Sequence, residues 1–331
     1  MSKNKRFWTI LLVLMLSACG RSAQGELPAP TLTITPAPLA AEAARGWTVT
    51  TTFAPISGTI MAMTWLEDTL VTAADTSRLS YWTLNQDSPI TQENLRVDGL
   101  ASSGAGLVVQ SRSGDVSVRD PAAVSTETWT VAEFGGLSHS NTLAVHEDQI
   151  ASLITGQRVA VMTRGDAAVN EVLLDTPFSE GSTAVAWSPD GKTLAVGTSE
   201  GTIALWAWPS KAPGATVMTR QTIERLAWSM DGTTLLAAGK GGIYRWSPPA
   251  TTGEQIPLDP YLIDLALQPR DGGLVAVVSK TGVVSLWEPA SAMIVHTLAL
   301  DYPATRVAWS SDGAHLAIGG DRGLTVWSHM P

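Results

Sequence analysis

The chain of 331 residues is poor in features that several common classes of protein require. It has a single cysteine, Cys19, so no disulfide can form within it. Outside the reducing cytoplasm, such a fold must be held by packing alone. Basic residues number 21 against 30 acidic ones, a formal net charge of −9, which leaves no basic stripe for a nucleic-acid backbone. The apolar run at residues 7–16, FWTILLVLML, is broken only by Thr9. As a helix it rises about 15 Å against a hydrocarbon core of roughly 30 Å, so it does not span a membrane. There is no GxSxG, no P-loop and no EF-hand loop. His139, His146, His296, His315 and His329 form no HxH or HxxxH pair, so zinc and Ser-His-Asp chemistry find no support. The expectation is a protein that is not an enzyme, with no metal and no cofactor.

What is abundant points to a packed β structure. Hydrophobic residues make up 44%, enough for a large core. Glycine and tryptophan are frequent, at 29 and 13, while Phe and Tyr stand at only 4 each. Many glycines suit many tight turns, and the tryptophans are periodic.

The N-terminal residues form an address. Lys3, Lys5 and Arg6 precede the short apolar run, and Leu16-Ser17-Ala18-Cys19 follows it. A basic region, a non-spanning apolar region and a processing site are the parts of a signal peptide. An aliphatic residue, two small residues and a cysteine resemble the lipobox of bacterial lipoprotein precursors. The resemblance implies a signal peptide over 1–18, a diacylglyceryl group on Cys19, cleavage before it, and acylation of the new amine by a fatty acid such as palmitate. The protein is then extracytoplasmic and lipid-anchored, since two or more chains anchor stably. A buried cysteine after an ordinary secretory signal is the alternative. Cleavage removes three positive charges, and the more acidic body repels anionic head groups, so the lipid must hold the membrane. Residues 19–46, with Pro28, Pro30, Pro36 and Pro38, are expected to be a semi-rigid tether.

Internal repetition governs the rest. Segments 185–206, 226–246, 265–287 and 307–327 each follow one pattern: strand, Asp-Gly turn, strand, Gly-containing turn, strand. The Asp-Gly pairs are Asp190-Gly191, Asp231-Gly232, Asp271-Gly272 and Asp312-Gly313. Such pairs are turns first; they lack the alternating carboxylates of a calcium loop. Segments 60–82, 100–119 and 143–162 fit the frame more loosely. Third strands ending near 82, 119, 162, 206, 246, 287 and 327 are 37 to 44 residues apart. Four-stranded propeller blades repeat at about 40–45 residues, so the expected fold is all-β, a seven-bladed β-propeller over 47–331. Only four residues follow Trp327, too few for a fourth strand. The β-rich segment 47–53 is expected to supply it, completing the last blade and removing an exposed edge.

In the C-terminal half, the SPDG turn and the tryptophan closing the third strand, Trp206, Trp246, Trp287 and Trp327, resemble the WD-repeat family. The likeness is strongest over 183–327. The Trp-Asp dipeptide and the Gly-His pair of that family are absent, so their hydrogen-bond network is not implied. Trp187, Trp228 and Trp309 are placed at the ends of first strands and Trp206, Trp246, Trp287 and Trp327 at the ends of third strands, where they pack between blades.

One charged set stands out. Just before the first strands of blades 4 to 7 the frame puts Ala184, Arg225, Asp264 and Arg306, with Glu224, Tyr261 and Tyr302 in the same turns. These turns belong at the mouth of the central channel. The set is either an ion-pair ring closing the mouth or a binding site for a polar or anionic group. Propellers of the resembling family bind proteins through their faces. The expected role is a monomeric, membrane-anchored platform for a protein partner. An extracytoplasmic hydrolase or lyase and a small-ligand sensor are the alternatives.

Overall fold

The computed structural model describes residues 46–103, 106–119, 127–130, 143–153, 158–165, 169–173, 181–269 and 273–329. Cys19, the lipobox, most of the tether, His139 and the Asp271-Gly272 pair lie outside the described residues.

Every described element is a β-strand. The first, Trp47–Thr52 (β1), precedes the blades. Blade 1 is Ile60–Leu66 (β2), Thr69–Ala74 (β3), Arg78–Trp82 (β4) and Thr91–Asn94 (β5). Blade 2 is Val97–Ser103 (β6), Gly106–Ser111 (β7), Asp115–Arg119 (β8) and Glu127–Thr130 (β9). Blade 3 is Leu143–His146 (β10), Gln149–Leu153 (β11), Arg158–Thr163 (β12) and Val169–Leu173 (β13). Blade 4 is Ser182–Trp187 (β14), Thr193–Thr198 (β15), Thr202–Ala207 (β16) and Ala212–Met218 (β17). Blade 5 is Ile223–Trp228 (β18), Leu235–Gly239 (β19), Gly242–Trp246 (β20) and Glu254–Ile256 (β21). Blade 6 is Leu262–Leu267 (β22), Val275–Ser279 (β23), Val284–Glu288 (β24) and Met293–Leu298 (β25). Blade 7 has Ala304–Trp309 (β26), His315–Gly320 (β27) and Leu324–His329 (β28).

Within each of blades 1 to 6 the four strands pair in chain order, antiparallel throughout. Blade 7 takes its fourth strand from the other end of the chain. Its order is β1-β28-β27-β26, with Trp47 opposite His329 and Thr52 opposite Thr325. The first strands form a closed ring, each touching the next, with β26 meeting β2. This is the seven-bladed propeller expected from the repeat, closed by the expected strand.

The second strands are short runs of small and β-branched residues buried on both faces, as in β23 (VAVVS) and β19 (LLAAG). A strand sandwiched between two neighbouring blades has no solvent face, which explains the absence of polar alternation. The outer strands alternate or are polar, as in β5 (TQEN). The core falls into seven clusters, each shared by two consecutive blades. Each blade therefore buries its faces against its neighbours and shares its core with them.

The contacts repeat around it. A Cβ on Gly197 of blade 4 would meet Ile223 of blade 5 at 2.6 Å, and one on Gly319 of blade 7 would meet Ile60 of blade 1 at 2.7 Å. Trp65, Trp228 and Trp309 each donate their indole N–H to a carbonyl of the preceding blade: Ala308, Ala186 and Ala266, at 3.1, 3.4 and 3.2 Å. The tryptophan periodicity is thus a packing feature, to which these three rings add a polar bond across the blade boundary, while the buried indole nitrogens of Trp187, Trp206 and Trp287 make none among the described residues. Three of the Asp-Gly turns are built alike. Ser188, Ser229 and Ser310 donate to Asp190, Asp231 and Asp312 at 2.6, 2.6 and 2.5 Å. The glycine that follows has φ of 66°, 69° and 69°, which suits a residue without a Cβ.

Candidate functional site

The first strands carry the charged set. In six of them the register with the second strand shifts near the start, as between Ile223 and Arg225, Leu262 and Asp264, and Ala304 and Arg306. A bulge inserts one residue and re-aims the next. Arg225, Asp264 and Arg306 are the residues that follow it, and Ala184 and Ala62 occupy the same place in blades 4 and 1. They lie inside the strands that ring the channel, not in the turns before them. The sequence frame placed them too far out because it could not count the extra bulge residue.

Arg225 and Asp264 are buried, at 7% and 4% exposure. Arg225 Nε donates to Asp264 Oδ1 at 2.6 Å. The same carboxylate accepts the Leu265 N–H and, through Oδ2 at 3.0 Å, the Val307 N–H of blade 7. Arg306 turns the other way. Its Nε donates to the Met61 carbonyl of blade 1 at 2.6 Å and its Nη1 to the Thr305 carbonyl. Enclosure of the guanidinium, with Arg225 nearby, lowers its pKa to about 10, partly opposed by Asp264 and Glu224. The set therefore links four consecutive blades, 5 to 6 to 7 to 1.

The residue inside the bulge adds a second layer. Thr183 donates to the Ile223 carbonyl of blade 5 at 2.5 Å, and Thr305 to the Ile60 carbonyl of blade 1 at 2.6 Å. Both threonines sit four residues before a strand-ending tryptophan, in TAVAW and TRVAW, so this signal was present in the repeat. In blade 5 the equivalent residue is Glu224. It accepts from the Tyr261 hydroxyl at 2.8 Å. That bond, then burial, raises the pKa of Tyr261. Lys280 lies over the Tyr261 ring, 4.5 Å from its centroid. Lys280 is exposed, while Tyr261 and Glu224 are half-buried. No repeat pattern marks Lys280, which sits in the turn between β23 and β24.

Tyr302 is placed differently. Its hydroxyl donates to the Ile318 carbonyl and exchanges a hydrogen bond with Thr325, both at 2.8 Å. Its ring covers Gly320 and Gly323, where an added Cβ would meet it at 2.7 and 2.2 Å. Burial pushes its pKa strongly up. Tyr302 anchors the β27–β28 turn of its own blade. Among the described residues, no three His, Cys, Asp or Glu side chains gather to hold a metal ion.

Two family models match parts of the chain. The WD40 domain of anaphase-promoting complex subunit 4 matches residues 148–231, from blade 3 into blade 5. The WD domain, G-beta repeat, matches residues 294–328, the outer strand of blade 6 and most of blade 7. No curated protein matches the chain. Set on a ring of seven closed blades, these matches support a WD-repeat-like β-propeller.

Proposed function

We propose that the chain is an extracytoplasmic lipoprotein, anchored through Cys19, that presents its propeller to a protein partner. The anchor rests on the lipobox Leu16-Ser17-Ala18-Cys19. The binding role is supported by the WD-like fold, since such domains generally mediate protein-protein contacts. Fold alone does not fix function, so the argument needs a surface.

One observation carries it: Tyr261, gripped by Glu224 at 2.8 Å and overlain by Lys280 at 4.5 Å. A tyrosine held in place loses little entropy on binding, and aromatic residues dominate interface energetics. The flanking charges offer a polar rim. The Arg225–Asp264 pair is buried and ties blades 5, 6 and 7 together. It leaves the ring-closing reading of the charged set better supported than a free anion site.

The test is photo-crosslinking in cells with the full chain. A crosslinking residue at position 280 should capture a discrete partner. One at position 230, on the exposed turn between β18 and β19 at the opposite edge of the blade, should not. Capture from both positions equally, or from position 230 alone, removes the case for this face.

A further inference from the structure

A buried amide lies unused beside the Tyr261 face. Gln221, in the turn between β17 and β18, is 6% exposed, and among the described residues neither its Oε1 nor its Nε2 has a hydrogen-bond partner. A buried amide left unsatisfied at both its donor and its acceptor is destabilising, and such groups are rare in folded proteins. Its neighbour is Gly241, in the two-residue turn between β19 and β20. A Cβ at that position would meet Gln221 Oε1 at 3.0 Å and the Nε2 of Gln255, on β21, at 3.6 Å. The φ of 118° suits a glycine, so no side chain fills this notch. Gln255 is exposed and donates to the Gly241 carbonyl at 2.7 Å. Gln221 thus keeps one donor and one acceptor in hand, the pattern that a peptide group matches.

The same turn carries charge. Lys240 precedes Gly241 and forms an isolated antiparallel bridge with Tyr261, with the Gly241 N–H donating to the Pro260 carbonyl at 2.8 Å. Lys280 follows β23 as Lys240 follows β19, so the two hold one position in consecutive blades. In blades 7 and 1 that position is Asp321 and Asp75. The backbone is equivalent in all four: Lys240, Lys280, Asp321 and Asp75 donate their N–H to the carbonyls of Thr222, Tyr261, Pro303 and Thr59. Arg220, beside Gln221, adds a third cation. All three cations are exposed, and among the described residues none forms an ion pair. The nearby carboxylates are turned to Tyr261: Glu224 accepts its hydroxyl at 2.8 Å and Asp259 its N–H at 2.9 Å. On a chain of net charge −9, three such cations around one tyrosine favour an anionic group of the partner.

We propose that the Tyr261 face takes an extended segment of its protein partner that bears acidic side chains. A peptide group of the segment meets the Gln221 amide over Gly241, once the Gln255 side chain moves aside. Its carboxylates meet Lys240, Lys280 and Arg220. The proposal rests on the reading of this face as the partner surface and adds the chemistry of what docks there.

The experiment is fluorescence-anisotropy titration of the full chain in non-ionic detergent with dye-labelled hexaglutamate, hexaglutamine and hexalysine, run beside the crosslinking at position 280. Hexaglutamate should bind saturably and the other two should not. Lys240→Gln/Lys280→Gln, changed only at exposed turn positions, should weaken hexaglutamate binding by about tenfold or more. Asp75→Asn/Asp321→Asn, at the same position in blades 1 and 7, should leave the affinity unchanged, which separates a local site from attraction by overall charge. Gln221→Leu replaces an unsatisfied amide by an apolar group of similar shape, so it should melt no lower than the wild-type chain and yet bind hexaglutamate several-fold more weakly. No saturable binding of hexaglutamate, equal binding of hexaglutamine, or an affinity unchanged in either the lysine or the Gln221 variant overturns the proposal. If position 280 still captures a partner in that event, the Tyr261 face stands and only the acidic segment falls.

Discussion

Arg225 in blade 5 and Asp264 in blade 6 are 39 residues apart in sequence and 2.6 Å apart in space, one donor and one acceptor across a blade boundary. The carboxylate also caps the Val307 N–H of blade 7, so one side chain joins three blades. Removing it takes the carboxylate away from a buried guanidinium and a buried amide. Asp264→Ala should cost about 3–5 kcal/mol of stability, the range for breaking one side of a buried pair. Replacing the pair together, as Arg225→Met/Asp264→Leu, should cost much less than Asp264→Ala alone. Urea denaturation of the three proteins measures this. A double variant as unstable as Asp264→Ala would show that the amide caps, not the ion pair, dominate.

Closure of the ring rests on β1. Trp47 is 4% exposed and meets Trp309 edge-on with centroids 5.4 Å apart, and Phe53, also 4% exposed, meets Trp82 at 5.0 Å. Deleting 47–53 removes two buried aromatics and a ladder of hydrogen bonds and bares the edge of β28. It should lower Tm by more than about 5 °C. Deleting 20–40 touches none of the described strands and should leave Tm unchanged. Equal melting temperatures for the two deletions would contradict closure by β1.

The blade count, the closing strand and the tryptophan positions were legible because they depend on period alone. Trp82, Arg119 and Trp246 end third strands at the residues the spacing indicates. Depth was less legible. The repeat put Arg225 and Asp264 in turns, yet a bulge carries them into the strands that ring the channel. Arg306 finds backbone carbonyls, which carry no sequence signature. Lys280 falls in a turn whose length and composition vary, so only the folded chain brings it over Tyr261. Blade 1 lacks the Asp-Gly signature altogether and joins its first two strands through the two-residue turn Glu67-Asp68.

The proposed anchor makes its own prediction. On the proposed lipoprotein reading, Cys19→Ala removes the thiol that would be lipidated. The variant should leave the membrane pellet and appear in the carbonate wash, while the wild-type chain stays. Retention of the variant after the wash would contradict lipid anchoring at this residue.

The serine–aspartate turns predict an acid dependence. The Ser188 hydroxyl, followed by the Lys192 N–H, holds the Asp190 carboxyl below its ordinary value of 3.8. Ser229 and the Thr233 N–H do the same for Asp231. A depressed folded-state value means that the ionised carboxylate favours the fold. The contribution is complete above the unfolded value and is lost as pH falls through the folded one. Ser188 also accepts the Thr193 N–H at 2.9 Å, so Ser188→Ala loses two hydrogen bonds, about 1 kcal/mol net at neutral pH. The part owed to the carboxylate should vanish in acid. The gap in stability between the wild-type chain and Ser188→Ala should therefore be constant from pH 7 down to about 5 and narrow below about 4. Denaturation midpoints across that range measure it. A gap that stays constant into the acid range would mean that Ser188 acts only through the Thr193 amide and that the Asp190 carboxylate adds nothing to the turn.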